Sequence, residues 1–333
     1  MRDVRDYSLL AHNTFGIEAR CSRFLEYETI EEAQQVAALL TASDTPYIII
    51  GGGSNLLLTR DFDGIVVHST LKGCERNGTR LTCGSGEVWD DMVALSLEQG
   101  LYGMENLSLI PGDVGASAVQ NIGAYGVEVK DLIVEVEAVE IATGRLCTFT
   151  NADCQYGYRD SRFKHDWRNR YLMTRVTYEL SEDFCPRLDY GNIRAELERL
   201  AITQPTAQQL RQVIIDIRNA KLPDPKVMGN AGSFFMNPVV CRDKYEALAA
   251  QYPGMPHYTV DATHEKIPAG WMIDQCGWKG RSLGRAGVHD RQALVLVNRG
   301  GATGQEVVDL CNAIRRDVHE TFGIDIHPEV NII

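Results

Sequence analysis

Pro46-Tyr47-Ile48-Ile49-Ile50-Gly51-Gly52-Gly53-Ser54-Asn55, at positions 46–55, places an apolar run directly before a glycine loop. The run predicts a buried strand, and the three glycines allow either a tight turn or a close main-chain approach to phosphate oxygens. Both interpretations remain open. A capping box, Thr29 to Glu32, predicts a helix over about 30–42, so the strand, helix, strand and glycine-loop order is typical of nucleotide-binding folds.

Size and charge set limits on the class of protein. The 333 residues carry 33 basic and 45 acidic side chains, a formal charge of -12, which argues against nucleic acid or an anionic membrane surface as a partner. Nine cysteines without a CxxC pair fit reduced thiols better than disulfides or a zinc site. With no apolar run approaching roughly 18 residues, we expect a cytoplasmic protein of about two domains.

Further elements follow from hydrophobic periodicity. Strands are predicted at 64–68, 80–83, 132–141, 171–180 and 293–297, with a last strand carrying His327-Pro328-Glu329-Val330. Helices are predicted around Trp89 to Leu97, after a second capping box at Thr206 to Gln209, and over about 305–322. The sequence lacks the GxGxxG fingerprint of Rossmann folds, the P-loop motif and the HExxH motif of zinc proteases.

Three other segments carry candidate chemistry. Pro111 to Gly126 is rich in glycine and small polar residues, and we favour a long loop against a flat polar ligand over an irregular connection. Tyr156 to Lys164 holds three cations and two tyrosines, which predicts either an anion site or a solvated turn. Gly229 to Pro238 places Ser233 between glycines and two phenylalanines, and in isolation a surface turn remains an alternative.

These segments together resemble the UDP-N-acetylenolpyruvoylglucosamine reductase family, flavoenzymes of cytoplasmic peptidoglycan precursor synthesis. The resemblance covers nearly the whole chain. Its segments are Asn13 to Gly16, Gly51 to Asn55, Pro111 to Gly126, Tyr156 to Lys164, Lys221 to Pro225, Asn230 to Pro238, Gln292 to Val297 and Pro328 to Val330.

The resemblance implies an α+β architecture: an FAD-binding PCMH-type fold, similar to vanillyl-alcohol oxidase, followed by a C-terminal α+β substrate-binding domain. The first domain would span 1–203, with subdomains of about 1–68 and 69–203, and hold FAD between the subdomains. The second would span 204–333, and its last strand would return Glu329 to the active site.

The resemblance also implies the cofactor and its contacts. FAD would bind non-covalently, with NADPH as the co-substrate. The residues implied at the pyrophosphate are Gly51, Gly52, Gly53, Ser54 and Asn55, and those along the rest of the cofactor are Ser117, Asn121 and Gly123.

In this family the flavin N5 passes a hydride from NADPH to the enolpyruvyl double bond, which gives UDP-N-acetylmuramate. The negative charge left beside the substrate carboxylate must be stabilised and protonated. The resemblance implies Ser233 as the proton donor, with Arg159 and Glu329 at the carboxylate, where Glu329 must carry or share a proton. It implies that the UDP-sugar is held by Tyr190, Lys221, Asn237 and Gln292.

The chain departs from the family pattern at three positions. Asp113 stands where a small neutral residue is usual, Ala118 replaces a common proline, and Met236 replaces a common lysine. We expect the Asp113 carboxylate to turn away from the FAD phosphates.

Two alternatives to a monomeric reductase remain: a flavin oxidase of the same fold, for which no covalent-flavin histidine motif is present, and a non-catalytic nucleotide-sugar sensor.

Overall fold

The computed structural model describes residues 1–333. Its strands are β1 Arg2–Ser8, β2 Arg20–Tyr27, β3 Tyr47–Ile50, β4 Leu56–Leu57, β5 Phe62–Ser69, β6 Cys74–Asn77, β7 Arg80–Gly84, β8 Gly123–Ala124, β9 Val127–Glu128, β10 Ile133–Glu140, β11 Leu146–Thr150, β12 Tyr171–Glu179, β13 Val239–Cys241, β14 Tyr258–Thr259, β15 His264–Lys266, β16 Ser282–Leu283, β17 Ala286–Val288, β18 Leu296–Asn298 and β19 Asn331–Ile332. Its α-helices are α1 Ile30–Thr41, α2 Trp89–Glu98, α3 Val114–Gln120, α4 Ile193–Arg199, α5 Ala207–Lys221, α6 Arg242–Gln251, α7 Ala269–Gln275 and α8 Gly304–Phe322. None of these helices has the length and apolar composition needed to cross a membrane.

Internal contacts divide the chain into two compact units, each discontinuous in sequence. Unit 1 consists of Met1–Tyr7, Cys21–Gly52 and Phe62–Ala220. Unit 2 consists of Ser8–Arg20, Gly53–Asp61 and Lys221–Ile333. The glycine loop is therefore shared between the two units, while the domains predicted at 1–203 and 204–333 stay a prediction.

The first sheet of unit 1 has the strand order β1-β2-β5-β3, with β2 and β3 each parallel to β5. α1 begins as predicted, because Thr29 Oγ1 accepts a hydrogen bond from Glu32 N at 3.2 Å. The helix buries the predicted apolar positions Ala33, Val36, Ala37 and Leu40. The prediction of a buried strand at 47–50 is wrong in one respect: β3 is an edge strand, so its residues are only half-buried.

The second sheet of unit 1 is antiparallel, in the order β11-β10-β12-β7-β6, and the strands predicted at 80–83, 132–141 and 171–180 are confirmed to within one residue. α2 packs on it with Trp89 fully buried, and the indole Nε1 donates to Leu107 O at 2.9 Å. This bond satisfies the one polar atom of the Trp89 side chain and so permits its burial.

The helix pair α4 and α5 completes unit 1. The predicted capping box is confirmed, because Gln209 N donates to Thr206 Oγ1 at 3.2 Å and Thr206 N donates to Gln209 Oε1 at 2.9 Å. Arg211 of α5 forms a bidentate ion pair with Asp90 of α2, at 2.7 and 3.0 Å. The pair fixes α5 against the antiparallel-sheet layer.

α8 supplies the main apolar face of unit 2. Thr303 and Glu306 cap its start reciprocally, at 3.2 and 2.8 Å, and Gly323 ends it with a φ of 59°. Its buried residues share a core with Phe234 and Phe235 and include Val307, Leu310, Ile314, Val318 and Phe322.

The strands of unit 2 are short, in the orders β13-β15-β14 and β16-β17-β18, with β19 parallel to β4. Two predicted strands differ from the structure. The strand expected at 293–297 begins only at Leu296, and the one expected at His327 to Val330 begins only at Asn331. Pro328 forms one isolated bridge with Phe235 and cannot extend the ladder, because proline has no N–H group.

We expect Ile314→Ala to lower the free energy of unfolding by about 2–5 kcal/mol, because it leaves a cavity among fully buried side chains. Urea denaturation of the full chain would measure the change. Asn312→Ala, at an exposed position of the same helix, should cost no more than about 0.5 kcal/mol. Equal losses in both variants would contradict the placement of the α8 core face.

Candidate active site

The first two residues of the glycine loop pack against the start of α3 in unit 1. A Cβ atom at Gly51 would lie 2.8 Å from Ala116 Cβ, and one at Gly52 would lie 3.2 Å from Asp113 Oδ1. These contacts explain the glycines by packing alone. The N–H groups of Gly51, Gly52 and Gly53 donate none of the turn and loop main-chain hydrogen bonds, so the loop also fits a diphosphate.

The rest of the loop belongs to unit 2. Gly53 has a φ of 66°, and a Cβ atom there would lie 1.9 Å from His12 O, so no other residue fits. Its carbonyl accepts a hydrogen bond from Thr14 N at 3.1 Å. Ser54 and Asn55 are half-buried, and Asn55 Nδ2 donates to Glu329 O at 3.3 Å. The loop is thus joined to the strand that carries Glu329.

The segment Pro111 to Gly126 is not the long loop predicted from its composition, because residues 114–120 form α3. Its small residues allow close helix packing instead. A Cβ atom at Gly115 would lie 2.9 Å from Ser85 Cβ and 3.1 Å from Met173 Cβ. Ser117 is buried, and its Oγ donates to Val114 O at 2.7 Å. The role predicted for Ser117 at a cofactor therefore stays a prediction.

Asn121 ends α3 in the left-handed region, with a φ of 45°, and its side chain is fully buried. Its Nδ2 donates to Gly157 O at 2.6 Å, and its Oδ1 accepts from Lys130 N at 3.1 Å. The amide thus connects α3 to the segment that precedes Arg159. Because both ends of the side chain have protein partners, a ligand would meet the main chain here, and the cofactor contact stays a prediction.

Arg159 packs on Gly123 and has a left-handed backbone, with a φ of 54°. Its guanidinium donates to Gly123 O and, at 3.3 Å, to Asn121 O. A Cβ atom at Gly123 would lie 2.6 Å from Arg159 Nη1, so glycine is required for this contact. Lys164 Nζ donates to Arg159 O at 2.7 Å and supports the strained turn. The structure therefore brings together Asn121, Gly123 and Arg159, and their roles toward a cofactor and substrate stay predictions.

Arg218 of α5 is a functional candidate that the sequence interpretation missed. Its Nε atom is buried without a hydrogen-bond partner. Burial lowers the pKa of Arg218, and the nearby charge of Arg159 lowers it further. The charge interactions with Tyr125 and Asp90 raise this pKa without outweighing burial. A signal was present in the sequence, since Arg218 and Lys221 lie three residues apart on one helix face.

Tyr190 lies against the end of the Pro111 to Gly126 segment. A Cβ atom at Gly126 would lie 3.2 Å from Tyr190 Cβ, and the Tyr190 side chain is 40% exposed. Burial lowers the pKa of Arg218, and the charge interaction with Tyr125, which neighbours Gly126, partly opposes this effect. Tyr190 and Gly191 thus lie beside Gly126 and Tyr125 in unit 1.

Ser233 of unit 2 is presented by two buried aromatic neighbours. Phe234 and Phe235 are buried and pack edge-on, with ring centroids 5.2 Å apart. Gly232 precedes Ser233 with a φ of 69°, and Gly232 N donates to Asn230 Oδ1 at 2.9 Å. The Ser233 side chain is exposed and makes no hydrogen bond within the protein. Its main chain is therefore positioned by the flanking residues, and its hydroxyl is available to a ligand.

Glu329 joins the same main-chain arrangement. Its N–H donates to Phe234 O at 2.8 Å, and Met236 N donates to His327 O at 3.0 Å. These bonds pair the Ser233 segment with the segment of Glu329, whose side chain is half-buried. Unit 2 therefore places a serine hydroxyl and a carboxylate on adjacent extended segments.

Two more predicted substrate residues meet at the start of α7. Asn237 Oδ1 accepts from Ala269 N at 2.9 Å, and a Cβ atom at Gly270 would lie 3.3 Å from Gln292 Oε1. Lys221 is exposed at the end of α5. The structure brings Asn237 and Gln292 together, and the substrate roles of all three residues stay predictions.

The Asp113 side chain faces the glycine loop, and its expected orientation relative to the FAD phosphates stays a prediction. Its carboxylate lies against Gly51 and Gly52 and pairs with His68 Nε2 at 3.5 Å. Ala118 is buried within α3 and Met236 N donates to His327 O, so neither of these departures disturbs the local structure.

Two family models match the chain. Residues 22–150 match an FAD binding domain, and residues 224–333 match the UDP-N-acetylenolpyruvoylglucosamine reductase C-terminal domain. Curated UDP-N-acetylenolpyruvoylglucosamine reductases are similar over nearly their full length. The protein from Bacteroides fragilis strain YCH46 is 54% identical, covering 98% of this chain and 99% of that protein. The protein from Burkholderia multivorans is 47% identical, covering 97% and 95%.

Solved structures support the fold. The UDP-N-acetylenolpyruvylglucosamine reductase from Thermus caldophilus matches with a TM-score of 0.69 and 23% identity, covering 99% of this chain and 98% of that one. The 6-hydroxy-D-nicotine oxidase from Arthrobacter nicotinovorans matches with a TM-score of 0.56 and 13% identity, covering 97% and 86%. The α+β class predicted from the sequence is confirmed.

We expect Asn121→Ala to lower the free energy of unfolding by about 2–4 kcal/mol, because it leaves the Lys130 N–H group without its partner, removes the bond to Gly157 O and places alanine in a left-handed conformation. Asn169→Ala is the matched control, since Asn169 also has a positive φ, of 56°, but is exposed. The control should lose only about 1 kcal/mol. Equal losses in urea denaturation would contradict the linking role of the Asn121 amide.

Proposed function

Because the chain belongs to the UDP-N-acetylenolpyruvoylglucosamine reductase family, we propose that it reduces the enolpyruvyl ether of UDP-N-acetylglucosamine to UDP-N-acetylmuramate, in peptidoglycan precursor synthesis. NADPH is the reductant and non-covalent FAD is the cofactor. The observation that carries the proposal is the pairing of the Ser233 and Glu329 segments, which leaves the Ser233 hydroxyl unbonded.

The residues available to FAD fit a dinucleotide. Gly51 to Asn55 would follow the pyrophosphate, since Gly51, Gly52 and Gly53 present bare main chain with uncommitted N–H groups. Gly123 and the main chain at Ser117 and Asn121 would follow the rest of the cofactor. When bound, FAD supplies the hydride, originally from NADPH, that reduces the enolpyruvyl double bond.

Ser233 would donate the proton that completes the reduction. A serine hydroxyl is a weak acid, but the carbon beside the substrate carboxylate becomes strongly basic once it carries negative charge. Position therefore matters more than acidity. The buried rings of Phe234 and Phe235 restrict the main chain at Ser233 and so limit the positions that its hydroxyl can reach.

Arg159 and Glu329 would bind the substrate carboxylate and stabilise the charge that spreads onto it. Arg159 provides planar donors suited to a carboxylate. Glu329 must carry or share a proton there, because two adjacent anions would repel. We add Arg218 to this group, because its enclosed and unpartnered Nε is costly unless an anion compensates it.

Tyr190, Lys221, Asn237 and Gln292 would hold the UDP-sugar. Lys221 is an exposed cation, and Asn237 and Gln292 lie together at the start of α7. We further propose a cytoplasmic monomer whose FAD-binding domain spans 1–203, in subdomains of about 1–68 and 69–203, and whose substrate-binding domain spans 204–333.

We expect Ser233→Ala to leave flavin reduction by NADPH intact and to lower turnover of the enolpyruvyl substrate by about 10²- to 10⁴-fold, the usual contribution of a positioned acid. Stopped-flow flavin absorbance would separate the two half-reactions. Ser282→Ala, at an exposed serine of unit 2, should retain full turnover.

Normal turnover by Ser233→Ala would exclude this residue as the proton donor. Reoxidation of the wild-type flavin by oxygen but not by the enolpyruvyl substrate would favour a flavin oxidase and contradict the proposed reductase.

We expect Arg218→Met to lower kcat/KM by about 10- to 100-fold without lowering stability, because it removes a cation together with a buried unsatisfied donor. The matched control is Arg211→Met on the same helix, which breaks the bidentate pair with Asp90. That control should lose stability by about 1–3 kcal/mol and retain kcat/KM. Destabilisation of Arg218→Met with unchanged kinetics would contradict its proposed role.

A further inference from the structure

His68 of β5 lies between two carboxylates in unit 1. Its Nδ1 is 3.1 Å from Glu26 Oε1, and its Nε2 is 3.5 Å from Asp113 Oδ2. The three side chains are only 12%, 12% and 14% exposed. A protonated imidazolium would be attracted to both carboxylates, so this arrangement favours a charged His68.

Asp113 has an unusual orientation for its position. It occupies the N-cap position of α3, where an aspartate normally accepts a hydrogen bond from the first helical turn, but its side chain makes no such bond. The carboxylate lies instead against Gly51 and Gly52 of the glycine loop. Its ion pair is with His68. A negative charge is thus held beside main-chain groups that are suited to bind an anion.

The charged groups that face His68 come from three elements. Glu26 lies on the adjacent β2, Asp113 precedes α3, and Arg2 of β1 binds the other oxygen of Glu26, at 3.0 Å. The neighbouring strand β3 pairs Ile50 with His68 and contributes no charge. Arg2 already compensates the charge of Glu26. His68 is the cation that pairs with Asp113, so the charge of Asp113 depends on His68 for compensation.

We propose that protonated His68 is a positioning residue that holds Asp113 and cancels its charge beside Gly51 and Gly52, and thereby allows this loop to accept the FAD diphosphate. The inference rests on the proposed placement of FAD along Gly51 to Asn55. Removal of the proton, or of the imidazole, leaves the Asp113 carboxylate to repel the diphosphate.

The direction of the pH dependence follows from the surroundings of His68. Burial alone would lower its pKa, but hydrogen bonding and charge from Asp113 and Glu26 outweigh burial, so the pKa of His68 is raised. The compensation is therefore complete below the ordinary histidine pKa of about 6.5 and is lost as pH rises through the raised value. FAD affinity should fall in the same direction.

The test is titration of the FAD-depleted full chain with FAD, followed by quenching of flavin fluorescence, between about pH 6 and pH 9. Four forms are compared: wild type, His68→Asn, Asp113→Asn and the double variant. We expect His68→Asn to weaken FAD binding by roughly tenfold at the acidic end, where wild-type His68 is charged. Asp113→Asn should bind at least as tightly as wild type with a flatter pH profile, and the double variant should match Asp113→Asn.

Two results would overturn the inference. One is that His68→Asn weakens FAD binding equally in the wild-type chain and in the Asp113→Asn chain. The other is that Asp113→Asn and wild type have the same pH profile of FAD binding. Thermal unfolding of the FAD-free forms checks that each variant is folded, and the Asp113→Asn profile tests the inference even if His68→Asn is unstable. A wild-type chain that binds no FAD would overturn the proposed function and this inference with it, whereas normal FAD binding without the Asp113 coupling would overturn the inference alone.

Discussion

The main-chain pairing of Phe234 with Glu329 is the constraint on which the candidate site of unit 2 depends. A hydrogen bond of 2.8 Å joins these residues, and the adjacent bond from Met236 to His327 repeats the pairing. Main-chain bonds fix position without involving side chains, so the Ser233 hydroxyl remains available for chemistry. The α8 core supports this arrangement, because Phe234 and Phe235 are buried in it.

Glycine positions throughout the candidate site serve packing and ligand approach together. Gly51 contacts Ala116, Gly53 contacts His12 and Gly123 contacts Arg159, each at a distance that excludes a Cβ atom. A residue that lacks a side chain for packing reasons also exposes its main chain. The two interpretations left open for the glycine loop are therefore compatible.

Features with a local physical cause could be predicted from the sequence. The helix starts at Thr29 and Thr206 depend on residues a few positions apart. Thr206 forms the full capping box with Gln209, whereas at Thr29 only the bond from Glu32 N is present. The helix in Pro111 to Gly126 could not be predicted in this way. Its residues Gly115 and Ser117 are weak helix formers, and its small side chains are favoured by contact with Ser85 and Met173, which are distant in sequence.

Electrostatic features of the site were harder still to predict. The burial of Arg218 Nε and the pairing of Asp113 with His68 both depend on tertiary neighbours that no spacing rule identifies. From the sequence, the charge of Asp113 can be considered only without its partner His68. In the structure, its effect depends on the partner that compensates its charge.

The parallel pairing of β4 with β19 also has a consequence for the order of folding. Asn331 pairs with Leu56 and Ile332 with Leu57, so one of the earliest segments of unit 2 finds its strand partner among the last residues of the chain. A pairing of such long sequence separation forms slowly and cannot form before those residues are synthesised. During synthesis on the ribosome, unit 1 can therefore acquire most of its contacts while β4 is still unpaired, because β19 has not yet been made.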